Sequence, residues 1–529
     1  MPPAPDPVRL YHDGTKHHFN RFARSIGYLD WASQPRPFRR FAGAPAYAVY
    51  PRPDAEEGAR EVGDLLRHSL GLSAWKRFQG SRWSLRVNPS SGNLHPTEAY
   101  VICSLAGSPA VFHYAAEEHE LELRCEFEAD AWRAATDGSD TLLVVLASIH
   151  WREAWKYGER AFRYCQHDLG HAIAAVSYAA SLEGRNVTLL PAWPQARIAA
   201  LAGLDRDEDF VDAEREEAGC LLAVTRGPVP LSLRDADERL SAAVAAGRWH
   251  GRASQLSEDH VQWTFIDEIA EATRHALSAA PAAMPSRGTV TDPRRGISAS
   301  EKKLAELSKD LVLQRRSAVA FDGQSSTTRH TFLDLLAASM PDAGGPFDAL
   351  WWTPRIHLAL FVHRVTDVEP GLYMLVRDET TVEPLRAAAE RDFLWDRLEE
   401  RLPLYLLARG DCRRLAARLS CDQDIAADGF FSLGMLARFD SSLEEFGPAF
   451  YRHLFWESGV VGQALYLAAE AAGARATGIG CFFDDPVHDV LGLRGHEFQS
   501  LYHFTIGIPV EDSRLTSEPG YAWERRAGR

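Results

Sequence analysis

Lys156 and Tyr157 stand side by side in Trp155-Lys156-Tyr157-Gly158-Glu159-Arg160. Such a pair can remove a proton from carbon or nitrogen when burial or a neighbouring cation lowers the pKa of one member. The competing reading is an ordinary surface dipeptide. Pro89-Ser90-Ser91-Gly92-Asn93 precedes an apolar run and gathers two hydroxyls, a glycine and an amide. That set suits the edge of a planar heterocycle, although a plain turn has the same composition. Gln314-Arg315-Arg316-Ser317 puts two guanidinium groups beside a hydroxyl. They can fork onto phosphate oxygens or a ring carbonyl, or simply favour a helix C-terminus. Thr477-Gly478-Ile479-Gly480-Cys481 reads as a loop following a helix, where glycines let backbone N–H groups face a ligand. His167 and His171 have the i, i+4 spacing of zinc-protease helices, but an aspartate replaces the glutamate base, a glycine intervenes and no third ligand is evident. Packing is the preferred reading there, and no metal is expected. His12, His17 and His18 read as a polar segment rather than a ligand set.

These groups need a scaffold, and 529 residues suit two or three domains of roughly 100 to 250 residues each. Hydrophobic residues make up 46% and charged residues 25%, a globular composition. The net charge of -15 offers no field for a polyanion, so nucleic acid and acidic membranes are not expected partners. The N-terminus lacks an apolar signal region, and the longest apolar run, Thr141 to Ile149, falls far short of the roughly 20 residues that span a bilayer. A cytoplasmic location is the expectation. Seven scattered cysteines without a CxxC pair argue against a disulfide framework or zinc ribbon.

Glu98 to Leu105, Thr141 to Ile149 and Cys220 to Thr225 are predicted strands separated by helical stretches. Residues 1–230 therefore form a first domain of mixed α and β. Leu231 to Ala280 reads as helical and Ala-rich, and breaker-rich Pro281 to Gly296 as a linker, so residues 231–297 are taken as insert and linker. A capping box at Ser298 and Glu301, followed by Leu304, Leu307 and Leu311, opens a second domain over residues 298–529. Arg163 to Gly170 aligns with Arg452 to Gly459 at an offset of 289 residues (452 minus 163). The same offset pairs Gly158 with Gly447, Asp168 with Glu457 and Gly184 with Gly473. This is the signature of an internal duplication. It pairs Lys156 and Tyr157 with Glu445 and Phe446, so one copy alone carries the proton-transfer pair. No P-loop, GxGxxG after a strand, or GxSxG elbow is present.

With these residues assembled, the chain resembles a tandem member of the FMN-dependent nitroreductase superfamily, in the SagB-type branch that includes thiazoline/oxazoline dehydrogenases of peptide natural products. Tyr11-His12-Asp13-Gly14-Thr15-Lys16 and Gln34 to Arg40 belong to the same resemblance. It implies an α+β, nitroreductase-like α/β/α fold in two tandem copies forming an intrachain pseudo-dimer, with FMN at the interface. Carried over residue by residue, Arg315, Arg316 and Ser317 match the segment one subunit gives to FMN. Gly478, Ile479 and Gly480 match the loop whose backbone approaches the flavin N5, and Arg514 the phosphate partner. Pro89, Ser90, Ser91 and Asn93 match the opposing loop, and Lys156 and Tyr157 the pair used for proton removal. Pro37 to Arg40 is a poor match to Arg-Arg-Ser, and Pro341 to Pro346 replaces the Pro-Ser-Ser-x-Asn loop, so the full set occurs once.

The expected function is hydride transfer between flavin N5 and a small or peptide-like substrate, with Lys156 or Tyr157 moving a proton. Alternatives are an NAD(P)H-dependent nitro or quinone reductase, and a flavin-free scaffold or partner protein. Association of pseudo-dimers into larger oligomers stays open at this point.

Overall fold

The computed structural model describes residues 6–50, 57–105, 107–274, 277, 307–341 and 345–524. The linker Pro281 to Gly296 and the capping box at Ser298 and Glu301 lie outside them. Two compact units emerge. The first comprises the described residues of 24–285, 348–351 and 514–529, and the second those of 1–23, 286–347 and 352–513.

The first unit is built on an eight-stranded antiparallel sheet. Seven of its strands run in the order Arg248–Trp249, Glu120–Glu126, Ser108–Ala115, Thr97–Leu105, Thr141–Ser148, Glu217–Thr225, Asn186–Leu189, and Ala46–Ala48 also pairs with Glu120–Glu126. The three predicted strands are all present. Thr141–Ser148 is buried along its whole length, which is why its sequence is a continuous apolar run and not an alternation. The helix Ala161–Leu182 is buried almost all round, as its Ala-rich sequence permits.

The second unit repeats the plan. Its sheet runs Asp396–Arg397, Leu404–Arg409, Gly371–Leu375, Ile356–Val362, Phe431–Arg438, Phe498–Gly507, Arg475–Ile479; the last six follow the same order as in the first unit, while the edge strand Asp396–Arg397 comes from a different place in the chain than Arg248–Trp249. Its buried helix Phe450–Ala471 has 22 residues, as does Ala161–Leu182. Gly158 and Gly447 cap the preceding short helices at φ of 56° and 84°. At Gly158 a Cβ would come within 2.2 Å of the Arg24 carbonyl oxygen, so only glycine fits. The duplication is thus a duplication of fold.

The expected boundary at residue 230 does not divide compact units. Beyond the short helices Leu231–Arg234, Glu238–Ala245 and Thr264–Ala272, the supposed helical insert holds two strands. Arg248–Trp249 extends the main sheet, and Arg252–Ala253 pairs with Phe41–Ala42. Leu233, Leu240, Val244 and Ala253 share one core with Val145 and Leu221. Short amphipathic helices cannot bury their apolar side alone, and here the sheet buries it. At the other end of the chain, Thr516–Pro519 pairs with Leu72–Phe78 of the first unit, itself a hairpin with Ser81–Arg86. Among the described residues no helix is long and apolar enough to cross a membrane.

Candidate functional site

In the first unit the serine-rich loop and the Lys-Tyr pair meet. Pro89 is buried, and Ser91–Asn93 form a single helical turn with Gly92 at φ 59° and Asn93 at φ 60°. A Cβ on Gly92 would lie 2.5 Å from the Tyr157 hydroxyl oxygen, so the bare glycine lets that hydroxyl rest on the loop backbone. The loop is held from behind. The Ser91 N–H donates to both Asp168 carboxylate oxygens (3.1 and 3.2 Å), and its hydroxyl donates to one of them (3.0 Å). The Ser90 hydroxyl accepts from the His95 N–H (2.8 Å), and the Asn93 amide donates to the Ser84 carbonyl (3.0 Å). Lys156 and Tyr157 end the helix His150–Tyr157, both half-buried, with the Lys156 ammonium 5.1 Å from the Tyr157 ring centre.

Two buried acids sit beside this pair. Burial pushes the Asp168 carboxyl up to about 7 against the opposing hydrogen bonds from Ser90 and Ser91. Glu153 is fully buried on the same helix as Lys156. Burial holds its carboxyl well above the usual range, the charge of Asp168 adds to the shift, and Lys156 opposes it. Burial and the Asp168 charge thus both favour the protonated form of Glu153. The sequence reading missed it, although Glu153 and Lys156 at i, i+3 lie on one helix face.

In the second unit the arginine segment and the glycine segment also meet. Ser317 bridges Ala476 in parallel, and the Ala318 N–H donates to the Ala476 carbonyl (3.0 Å). Tyr466, on the long helix, joins them. Its hydroxyl lies 2.9 Å from the Ser317 hydroxyl and accepts from the Gly478 N–H at 3.0 Å. Arg315 is buried with its guanidinium 4.9 Å from the Tyr466 ring centre. Burial lowers its pKa and Arg475 adds to the lowering, against Tyr466 and Glu470. Arg316 donates to the carbonyls of Leu313 and Arg315 (both 2.7 Å), so it also performs the helix-end role weighed for it above.

The expected glycine loop is instead largely a strand, Arg475–Ile479, in ladder with Phe498–Gly507. Ile479 points into the core, and Gly478 is required by packing, since a Cβ would sit 1.9 Å from the Tyr502 hydroxyl. Gly480 follows the strand. Arg514 belongs to the first unit, where it is exposed and 5.4 Å from the Phe78 ring centre; Arg315, Arg316 and Ser317 belong to the second.

The counterpart positions are occupied differently. Arg39 bonds Glu216 (3.2 Å) and Arg40 bonds Glu122 (2.6 Å). Glu445 accepts from Arg355 (2.7 Å), and Phe446 stacks on Phe450. Glu457, the counterpart of Asp168, accepts from Trp352 Nε1 (2.9 Å) and from the main-chain N–H of Arg355 and Ile356.

Residues 64–213 match the nitroreductase family, a span holding both the serine-rich loop and the Lys-Tyr pair. No curated protein matches the chain. Among solved structures, a protein from Anabaena variabilis assigned as a nitroreductase is 21% identical. The match covers 96% of this chain and 100% of that one, with a TM-score of 0.71. One from Ralstonia eutropha, also assigned as a nitroreductase, is 17% identical over 38% of this chain and 82% of its own, with a TM-score of 0.27. A chain of the E. coli microcin synthetase McbBCD complex with truncated pro-MccB17 bound is 16% identical over 43% and 84%, with a TM-score of 0.26. Residues 64–213 thus match the nitroreductase family model, and the chain has the nitroreductase fold, with its sheet plan repeated in the second unit.

Proposed function

We propose that the protein is an FMN-dependent oxidoreductase of the SagB type that acts on a small or peptide-like substrate and binds one FMN per chain. The observation that carries this reading is the Tyr157 hydroxyl resting on Gly92 of the serine-rich loop, inside the family domain. When bound, FMN would supply hydride transfer at N5. Arg315, Arg316 and Ser317 of the second unit would hold its phosphate and polar edge. Gly478, Ile479 and Gly480, and Pro89, Ser90, Ser91 and Asn93, are the further residues that would hold it by the same resemblance. The donor set fits such a group, because the buried Arg315 cation, lowered in pKa by desolvation, gains from an added anion. Lys156 and Tyr157 are half-buried and adjacent, with the buried Glu153, whose carboxyl burial pushes up, on the same helix. Tyr157 moves a proton to or from the substrate, and the Lys156 ammonium stabilises the phenolate form.

A single site, rather than two, is supported by the counterparts. Arg39 and Arg40 are engaged by carboxylates, Glu445 pairs with Arg355, and Phe446 stacks on Phe450. The test is a Lys156→Ala, Tyr157→Phe double variant that still binds FMN. It is expected to lose reduction of the flavin by every substrate that reduces the wild type, and full retention contradicts the role of the pair.

A further inference from the structure

Outside these residues, three side chains from distant parts of the sequence converge in the second unit. A ligand atom each from His17, Cys421 and Cys481 all lie within 4.8 Å of one another, with Cys481 Sγ 3.8 Å from His17 Nδ1. We infer that this cluster is a zinc site with three protein ligands and a fourth position open to solvent. The inference is independent of the flavin reading.

The distances suit that ion. With Zn–S near 2.3 Å and Zn–N about 2.0–2.1 Å, tetrahedral ligand atoms stand about 3.5–3.8 Å apart, so the cluster needs only a small contraction. Two thiolates and an imidazole select a borderline-soft cation over magnesium or calcium, which need a cage of oxygens. The ligands are also positioned from several directions. The His17 N–H donates to the buried Asp484 carboxylate (2.8 Å) while the Asp484 N–H donates to the His17 carbonyl (3.0 Å), and the imidazole packs on Phe22. Cys421 and Asp422 hold consecutive left-handed conformations, φ 56° and 57°, unusual for non-glycine residues and sustained only where the surroundings impose them. The Gln423 amide donates to the carbonyls of both Ser420 (2.7 Å) and Cys481 (3.1 Å), tying that turn to the third ligand.

Access separates these thiols from the others. Cys103, Cys125, Cys165, Cys220 and Cys412 are buried, whereas Cys421 and Cys481 are partly exposed, which gives the ion an entry path. The neighbouring Lys16 ammonium is held by Asp13 (3.0 Å) and Asp485 (3.2 Å). Binding displaces the thiol protons to solvent, forms two Zn–S bonds and one Zn–N bond, and involves no redox change.

The test uses the full chain, reduced and stripped of metal, titrated with cobalt(II) and then zinc(II), with or without flavin. The expected difference spectrum shows one equivalent of cobalt with thiolate charge-transfer absorption and tetrahedral d–d bands, all displaced by zinc. Cys421→Ser and Cys481→Ser should each abolish those bands. Because a variant can fail by unfolding, alkylation of the wild type is mapped in parallel by mass spectrometry. Zinc is expected to slow labelling of Cys421 and Cys481 and leave the five buried cysteines unchanged. Any of three results overturns the site: an octahedral spectrum without charge transfer, binding that survives loss of both cysteines, or labelling of Cys421 and Cys481 that zinc does not alter.

Discussion

Gly92 governs where Tyr157 can sit, and this makes the pairing testable one residue at a time. Gly92→Ala adds a methyl 2.5 Å from the Tyr157 oxygen at a backbone φ of 59°, so it should displace the phenol and lower turnover. Tyr157→Phe removes the clashing atom. The two changes should then couple by about 0.5–3 kcal/mol in a double-mutant cycle on stability, and strict additivity would show that the contact does not form. Glu153 makes a second prediction. A carboxyl whose folded pKa lies above its unfolded value stabilises at low pH, and that contribution drains away as pH rises from the carboxylate range through the folded value. Glu153→Gln imitates the protonated form. Denaturant melts should show it gaining on the wild type as pH rises above the ordinary carboxylate range, while a difference that does not change with pH would contradict the raised carboxyl. Glu153 was hidden in the sequence because a single acid among Trp, Arg and Lys looks like an exposed helix face.

At the scale of elements, the duplication was legible because two long helices cannot tolerate insertions without losing their packing. Ala161–Leu182 and Phe450–Ala471 are displaced by one constant offset at both ends. The glycines at their margins match for a backbone reason, since both members of each pair hold positive φ: Gly158 with Gly447 and Gly184 with Gly473. The strand Arg475–Ile479 was misread because glycines at 478 and 480 suggest a loop, whereas Gly478 actually makes room for the Tyr502 hydroxyl. Strands Arg248–Trp249 and Thr516–Pro519 left little local signal, being short and paired with residues far away in the chain. The charged ladder inside the first sheet was equally hidden. His113 bonds Glu122 (2.9 Å) and Glu98 (3.1 Å), and Glu98 also bonds Arg152. Burial opposes the charge on His113, but the two glutamates prevail and raise its pKa to about 9. Its contribution is complete below the unfolded histidine pKa near 6.5 and is lost as pH rises through about 9. Stability should therefore fall by on the order of 1–3 kcal/mol between about pH 7 and pH 10, and His113→Phe should flatten that part of the profile. A wild-type profile that is flat over this range would mean the ladder is uncharged.

For the whole molecule, the ends of the chain complete units that their position in the sequence does not announce. Tyr521 is buried in the first unit, its hydroxyl donating to the Ala116 carbonyl (2.7 Å) and accepting from the Leu72 N–H (2.9 Å). Tyr521→Ala should cost about 3–5 kcal/mol. Hydrogen exchange should quicken in Leu72–Phe78; unchanged exchange there would contradict the anchoring of that strand by Tyr521. The two copies divide the candidate flavin-site residues between them. One copy keeps the serine-rich loop and the Lys-Tyr pair, the other keeps Arg315 to Ser317 and the glycine strand, while Arg39, Arg40 and Glu445 are held in ion pairs and Phe446 stacks on Phe450. The visible spectrum of the purified chain, with the released chromophore identified by mass and counted, tests this most directly. One FMN per chain is the predicted result, and two, or none after FMN is added, would contradict it.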